Sequence, residues 1–166
     1  SDAFRYYFLR AITFGSDGSF SWEDLSARYE SDLANGLGNL ASRVIAMVHR
    51  YRGGVVPALP SPTPADRAIA ATMKDAVAAA DAAMHAFAPH EALGELWRIV
   101  EDVNGYITEQ EPWVMAKDDA QAARLDAVLY TSLDALRSLA VTLSPFMPQA
   151  TSKLWEALGA SDSVGP

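Results

Sequence analysis

The sequence predicts an all-α fold, a helical bundle of about five main helices. Apolar residues recur at intervals of three and four through most of the chain, the period of helices that each bury one stripe. No stretch keeps up the two-residue alternation of a half-buried strand. The connections between periodic stretches are short and marked by Gly and Pro, apart from one proline-rich crossover. With 166 residues, half of them apolar, the chain has room for one domain with a proper core. We expect that domain over residues 1–158, with a frayed tail over 159–166.

Phe4, Tyr7, Phe8, Ala11 and Ile12 form the stripe of a first helix, which Ser1 or Asp2 can cap. This helix starts at residue 1 and is rich in large apolar side chains, so the N-terminus reads as a cut through a longer protein. Gly15, Asp17 and Gly18 make a turn. Ser21-Trp22-Glu23-Asp24, a capping box with a shorter acid, starts the next helix. The stretch Asp32–Arg52 follows, with Leu33, Leu37, Leu40, Val44, Val48 and Tyr51 as its core stripe. Asn35-Gly36-Leu37-Gly38 is poor helix material, which predicts a kink or break there. Gly53-Gly54 ends the helix. Pro57, Pro60, Pro62 and Pro64 mark the extended crossover, with Thr63 as cap and Pro64 in the first helical position.

Ile69, Met73, Val77, Ala80, Met84 and Phe87 stripe the next helix, whose alanines allow close approach, and Pro89 stops it. Leu93, Leu96, Trp97, Val100, Val103 and Ile107 stripe another, broken at Glu109–Trp113 because a residue before proline is steered away from helix. Asp118 or Asp119 caps a long helix striped by Leu125, Leu129, Leu133, Leu136, Leu139 and Leu143. Pro145 and Pro148 end it, and Lys153–Leu158 gives a last short turn or helix.

Composition excludes several functions. No apolar run approaches the ~20 residues of a membrane span, and nothing resembles a signal peptide. The absence of cysteine excludes disulfides, thiol nucleophiles and cysteine–zinc sites, and fits a cytoplasmic protein. A net charge of −8 argues against broad nonspecific nucleic-acid binding but leaves room for a local basic site. Arg43, Arg50 and Arg52 lie close together with His49 among them. At about 100° per residue, Asn39, Arg43 and Arg50 fall within about 40° of one another, roughly a quarter-turn off the core stripe. Gly36 and Ala46 share that flank and leave it open. One amide and two guanidiniums can donate to phosphates and base edges. Surface arginines with no ligand give the same pattern.

Catalytic chemistry is absent. Gly36-Leu37-Gly38-Asn39-Leu40-Ala41 has the letters of a dinucleotide fingerprint, but helix-periodic residues stand on both sides where a strand should precede it. There is no P-loop, nucleophile elbow or serine–histidine–aspartate set. His49, His85 and His90 lack metal-ligand spacing. The pairs Glu101-Asp102 and Asp118-Asp119 sit in amphipathic or capping contexts, where solvated charge is the default.

Four pieces, in order and at family-like spacing over residues 2–115, resemble the C-terminal anticodon-binding domain of methionyl-tRNA synthetases. Asp2–Arg10 is similar to the family's helix after the catalytic core, and Phe14–Ser21 to its FGxDGxFS turn. Asp32–Arg43 resembles its DLAN-x-LGNL-x-x-R helix, and Asn104-Gly105-Tyr106-Ile107 with Glu111-Pro112-Trp113 resembles its N-x-Y-I…PW segment. The last helices match in pattern alone. The resemblance implies an all-α class I anticodon-binding bundle that reads the CAU anticodon of methionine tRNAs through Asn39, Arg43 and Trp113, with Arg50 a looser match. It implies tRNA and an N-terminal catalytic domain as partners, ATP with magnesium for the whole enzyme, no DNA or membrane partner, and the cytoplasm as location. The catalytic signatures resembling His-Ile-Gly-His and Lys-Met-Ser-Lys-Ser are missing, so this chain alone should recognise tRNA without aminoacylating it. Two other readings remain. The leucine, isoleucine, valine and cysteine enzymes carry related bundles. The acidic charge and the alanine-rich stretch Ala68–Ala88 also suit a helical protein-interaction module. Under the resemblance Trp113 is a stacking platform for an unpaired base, and the alternative is a loop ring tucked against the bundle.

Overall fold

The computed structural model describes residues 1–13, 15, 17–58 and 61–160. The described residues form helices α1 (Asp2–Ala11), α2 (Trp22–Arg28), α3 (Asn39–Arg52), α4 (Pro64–His85), α5 (Pro89–Gln110), α6 (Pro112–Met115), α7 (Ala122–Thr142) and α8 (Pro148–Ala157). A π-helical segment (Tyr29–Gly38) joins α2 to α3, a 3₁₀ turn (Asp119–Gln121) precedes α7, and there is no strand among the described residues. Most of the expected frayed tail, from residue 161 on, lies outside the described residues. So do Phe14 and Ser16 of the FGxDGxFS-like turn, and Leu59 and Pro60 of the crossover.

α4 and α5 form a helical hairpin, and α7 packs on both and on α3. Small side chains make the hairpin close: Ala76, Ala80 and Ala83 of α4 are buried. Every stripe residue expected in α5 and α7 is buried, including Leu93, Leu96, Val100, Leu129, Leu136 and Leu139. A fully buried leucine contributes roughly 1.5–3 kcal/mol of transfer free energy, so these two helices supply most of the driving force. α3 adds Leu40, Val44, Met47 and Val48 to the same core. Gly53, left-handed at φ 62, caps α3 at its C-terminus. Thr63 caps α4 in a full capping box with Asp66, and Pro64 takes its first position.

The chain departs from its expected local structure at several places. α1 is turned so that Tyr6 and Tyr7 are buried while Phe4 and Phe8 are exposed. The Tyr6 ring lies 4.8 Å from that of Trp97, and its hydroxyl donates to Asp32 at 2.8 Å. Phe4 and Phe8 instead pack with Phe20 in an aromatic surface patch that includes the 64% exposed Trp22. Ser1 makes no side-chain cap, and Asp2 accepts from the Ala150 backbone of α8 at 2.7 Å.

The glycine stretch does not break the helix. The chain winds on through it with wider turns, the Asn39 amide reaching back to the Ala34 carbonyl, five residues away. A Cβ on Gly38 would come within 2.8 Å of the Leu33 carbonyl oxygen, so the wide turn itself requires glycine there. Gly36 faces the Trp97 ring rather than an open flank: a Cβ there would lie 3.6 Å from the indole nitrogen. Pro148 begins α8 rather than ending its predecessor, which gives a longer final helix. Glu111, before Pro112, leaves helix as expected but enters the left-handed region, at φ 49 and ψ 56.

Candidate nucleic-acid interface

Asn39 opens α3 on the exposed side, and its side-chain amide makes no hydrogen bond among the described residues. One turn on, Arg43 is half-buried and reaches α5. Its Nη2 donates to the Asn104 side-chain oxygen at 3.2 Å and to the Asn104 carbonyl at 3.4 Å. Asn104 is held in turn, because its own Nδ2 donates to the Val100 carbonyl at 3.0 Å. Arg43 Nε is buried with no hydrogen-bond partner among the described residues. Arg50, exposed in the last turn of α3, lies with its guanidinium carbon 5.7 Å from the Tyr51 ring centroid. Neither Arg43 nor Arg50 pairs with a carboxylate among the described residues. Arg52 leaves the basic cluster altogether: its Nε donates to Asp126 at 2.5 Å and its Nη2 to the Ala122 carbonyl at 3.2 Å, tying α3 to α7.

Trp113 stands just past the end of α5. Pro112 beside it is buried, whereas the indole is 38% exposed and makes no hydrogen bond or ring contact among the described residues. Asn104 lies under two turns before the end of α5, about 9 Å along the axis at 1.5 Å per residue. Arg43 and Trp113 therefore flank the same closing stretch of α5, one held by Asn104 and the other carried by the turn at Glu111. No direct contact joins Trp113 to Asn39 or Arg50 among the described residues.

A second polar cluster sits at this end of α5. Asp66, 3% exposed, accepts from Arg124 Nη1 at 2.6 Å and from the Thr63 amide at 2.7 Å. The Tyr106 hydroxyl donates to the same carboxylate in a short hydrogen bond. Arg124 Nη2 donates onward to the Gln110 side-chain oxygen at 2.6 Å, at the last residue of α5. Burial pushes the Asp66 carboxyl upward, but the donors from Arg124, Tyr106 and Thr63 outweigh it and hold it at about 2. Burial, with the bond to Asp66, pushes the Tyr106 hydroxyl up to about 12. This cluster is electrically closed, with one guanidinium matched to one carboxylate.

The sequence placed Asn39, Arg43 and Arg50 on one flank, and they lie on α3 beside its core stripe. It did not single out Asn104 as the holder of Arg43. It also did not single out the Asp66–Arg124 pair, whose one local sign is the Thr63-x-x-Asp66 capping spacing. Chemically, the α3 flank offers an amide able to donate and accept and two guanidiniums with no carboxylate partner among the described residues, and the turn after α5 offers a partly exposed indole. No group of His, Asp and Glu among the described residues could hold a metal ion. No described helix is long and apolar enough to cross a membrane.

Residues 56–166 match the family described as the anticodon binding domain of methionyl tRNA ligase, and residues 1–45 match the class I tRNA synthetases of the methionine type. The methionine–tRNA ligase of Streptomyces coelicolor is 53% identical over 99% of this chain, which covers 31% of that protein. The Caldanaerobacter subterraneus methionine–tRNA ligase is 40% identical over 98% of the chain, covering 26% of that protein. The crystal structure of the free Mycobacterium tuberculosis methionyl-tRNA synthetase superposes with a TM-score of 0.93 at 37% identity, over 96% of this chain and 33% of that one. The chain thus spans about a third or less of the length of these relatives.

Proposed function

Because this chain belongs to the family of anticodon-binding domains of methionyl-tRNA ligase, we propose that it recognises methionine tRNAs by their CAU anticodon, through Asn39, Arg43 and Trp113 with Arg50 beside them. The observation that carries this is the uncompensated α3 flank. On a chain of net charge −8, the guanidiniums of Arg43 and Arg50 meet no carboxylate among the described residues. An anion or a base edge is the partner that such cations lack.

Each residue has a distinct part. Asn39 offers an acceptor and two donors, enough to read the edge of an unpaired base. Arg43 is held by Asn104, so its remaining N–H groups meet a base edge or a phosphate with little ordering left to do. Trp113 presents a ring on which a splayed-out anticodon base stacks. Arg50 adds positive potential along the backbone of the loop.

The second partner in this reading is the N-terminal catalytic domain of the same protein, and the whole enzyme works in the cytoplasm on methionine, ATP and tRNA. The residues present here do not fit ATP or its magnesium. The sequence holds no phosphate-cradling glycine loop, and the described residues hold no carboxylate–histidine group for a metal. The chain's own contribution is recognition.

The test is a titration of the chain with labelled anticodon stem-loops at two salt concentrations. CAU is expected to bind more tightly than leucine, isoleucine, valine or cysteine anticodons. Equal binding of all of them would reject the methionine assignment, and no binding of any would favour a protein-interaction role.

A further inference from the structure

We propose that the Asp66–Arg124–Gln110 cluster is a positioning device for Trp113, setting the direction in which the indole meets the anticodon loop. This inference rests on the reading of Trp113 given above. The indole makes no hydrogen bond or ring contact among the described residues, so no polar anchor fixes it and the backbone beneath sets where it starts from. That backbone turns at Glu111, a non-glycine residue at φ 49. Such a conformation is costly for a residue with a side chain and persists only where its surroundings over-determine it.

Three restraints do so. The Glu111 carbonyl accepts from Val114 at 2.8 Å, closing the turn from the C-terminal side. Pro112 is buried. On the N-terminal side, the Gln110 side chain is held by Arg124 Nη2 at 2.6 Å. Arg124 is itself fixed by both Asp66 oxygens, at 2.8 and 2.6 Å, and Asp66 is locked to the first turn of α4 by Thr63. The beginnings of α4 and α7 are thus clamped to the last residue of α5, one residue before the turn. Within the clamp Arg124 is spent on Asp66, Tyr106 and Gln110, and its output is the direction of the turn.

Gln110→Ala cuts the link to the turn while leaving the Asp66–Arg124 pair intact, so the fold should survive. Gln110→Glu keeps an acceptor for Arg124 and should rescue it. The chain labelled with 5-fluorotryptophan gives one fluorine signal for each of its four tryptophans, Trp22, Trp97, Trp113 and Trp155. In Gln110→Ala the Trp113 signal should shift and broaden while the other three hold. Gln110→Glu should restore it, with melting midpoints within about 3 °C of the parent. A Trp113 signal that stays put overturns the proposal. So does a general shift of all four signals with a collapse of the melting midpoint, which would make Gln110 a structural residue.

Binding of a CAU stem-loop separates this from the anticodon reading. Gln110→Ala should weaken binding roughly three- to tenfold, in the range of coupled neighbouring residues, and should weaken it no further when Trp113 is already alanine. If Trp113→Ala itself binds normally while the fluorine result holds, the positioning stands and the anticodon role of Trp113 fails.

Discussion

Arg43 and Arg124 both reach across to α5 from a neighbouring helix, and they end differently. Arg124 meets a carboxylate, a phenol and an amide oxygen, and its charge is cancelled by Asp66. Among the described residues Arg43 meets only the neutral oxygens of Asn104. Hydrogen bonding and neutralisation are thus separate jobs. An amide can hold a guanidinium in place and leave its charge available, whereas a carboxylate holds it and uses the charge up. A cation of the first kind is ready for a phosphate or a base, and one of the second kind ties helices together.

The comparison breaks first, if it breaks, at Asp66. Asp66→Ala leaves the Arg124 guanidinium partly buried with no counter-charge, and we expect a loss of about 3–5 kcal/mol of stability in urea unfolding. Asn104→Ala, which removes a neutral acceptor, should cost only about 1 kcal/mol and should weaken stem-loop binding instead. Equal stability losses in the two variants would erase the distinction.

Acid sharpens it. Asp66 is held at about 2, below the ordinary value of 3.8. Its folded value is depressed, so its contribution is fully present above the unfolded value and is lost as pH falls from about 4 through about 2. The shift is worth roughly 2 kcal/mol. Unfolding free energy measured down that window should fall in the parent chain and fall less in Asp66→Asn.

Binding variants come next. Trp113→Ala should cost about 1–3 kcal/mol of CAU stem-loop affinity, and Trp113→Phe less, because a smaller ring still stacks. The indole is 38% exposed, so the stability cost of Trp113→Ala should stay well below the ~3–5 kcal/mol of a buried aromatic. Arg43→Ala should also lose about 1–3 kcal/mol of affinity with the melting midpoint nearly unchanged. A large midpoint drop with normal binding would put Arg43 in the same class as Arg124. The smallest effect belongs to Arg50. Arg50→Ala should weaken all stem-loops alike and lower the salt slope by about one.

The sequence revealed most where burial is complete. The stripe residues of α5 and α7 recur at three and four and every one of them is buried, so periodicity was enough to find them. α1 carries aromatic residues all round, and periodicity could not say which face goes inside. That is settled by the Tyr6 hydroxyl finding Asp32, a partner outside any local window. Intrinsic propensity predicted a kink or break at Asn35–Gly38, and the chain instead winds through it in wide turns, with Gly36 against Trp97. On the candidate site, the flank of Asn39, Arg43 and Arg50 follows from helix geometry and was legible. The removal of Arg52 from that group was not, because Asp126 is distant in sequence and only the folded chain brings it near. Asn104 stood in a quoted motif, yet nothing local marks it as the residue that holds Arg43.

The wide turns between Tyr29 and Gly38 also set a phase. A helix bonded five residues apart takes more residues per turn than 3.6, so it delays the winding of all that follows. Asp32 must stay under Tyr6, and Leu40 and Val44 must stay in the core. Both hold only at this winding. One residue deleted and rewound as plain α-helix would leave the two ends out of register by about 100°. Either the first helix would lose its anchor, or Asn39 and Arg43 would swing off their flank. Length in this segment is therefore as constrained as identity, because Asp32, Leu33 and Leu37 all meet partners outside it.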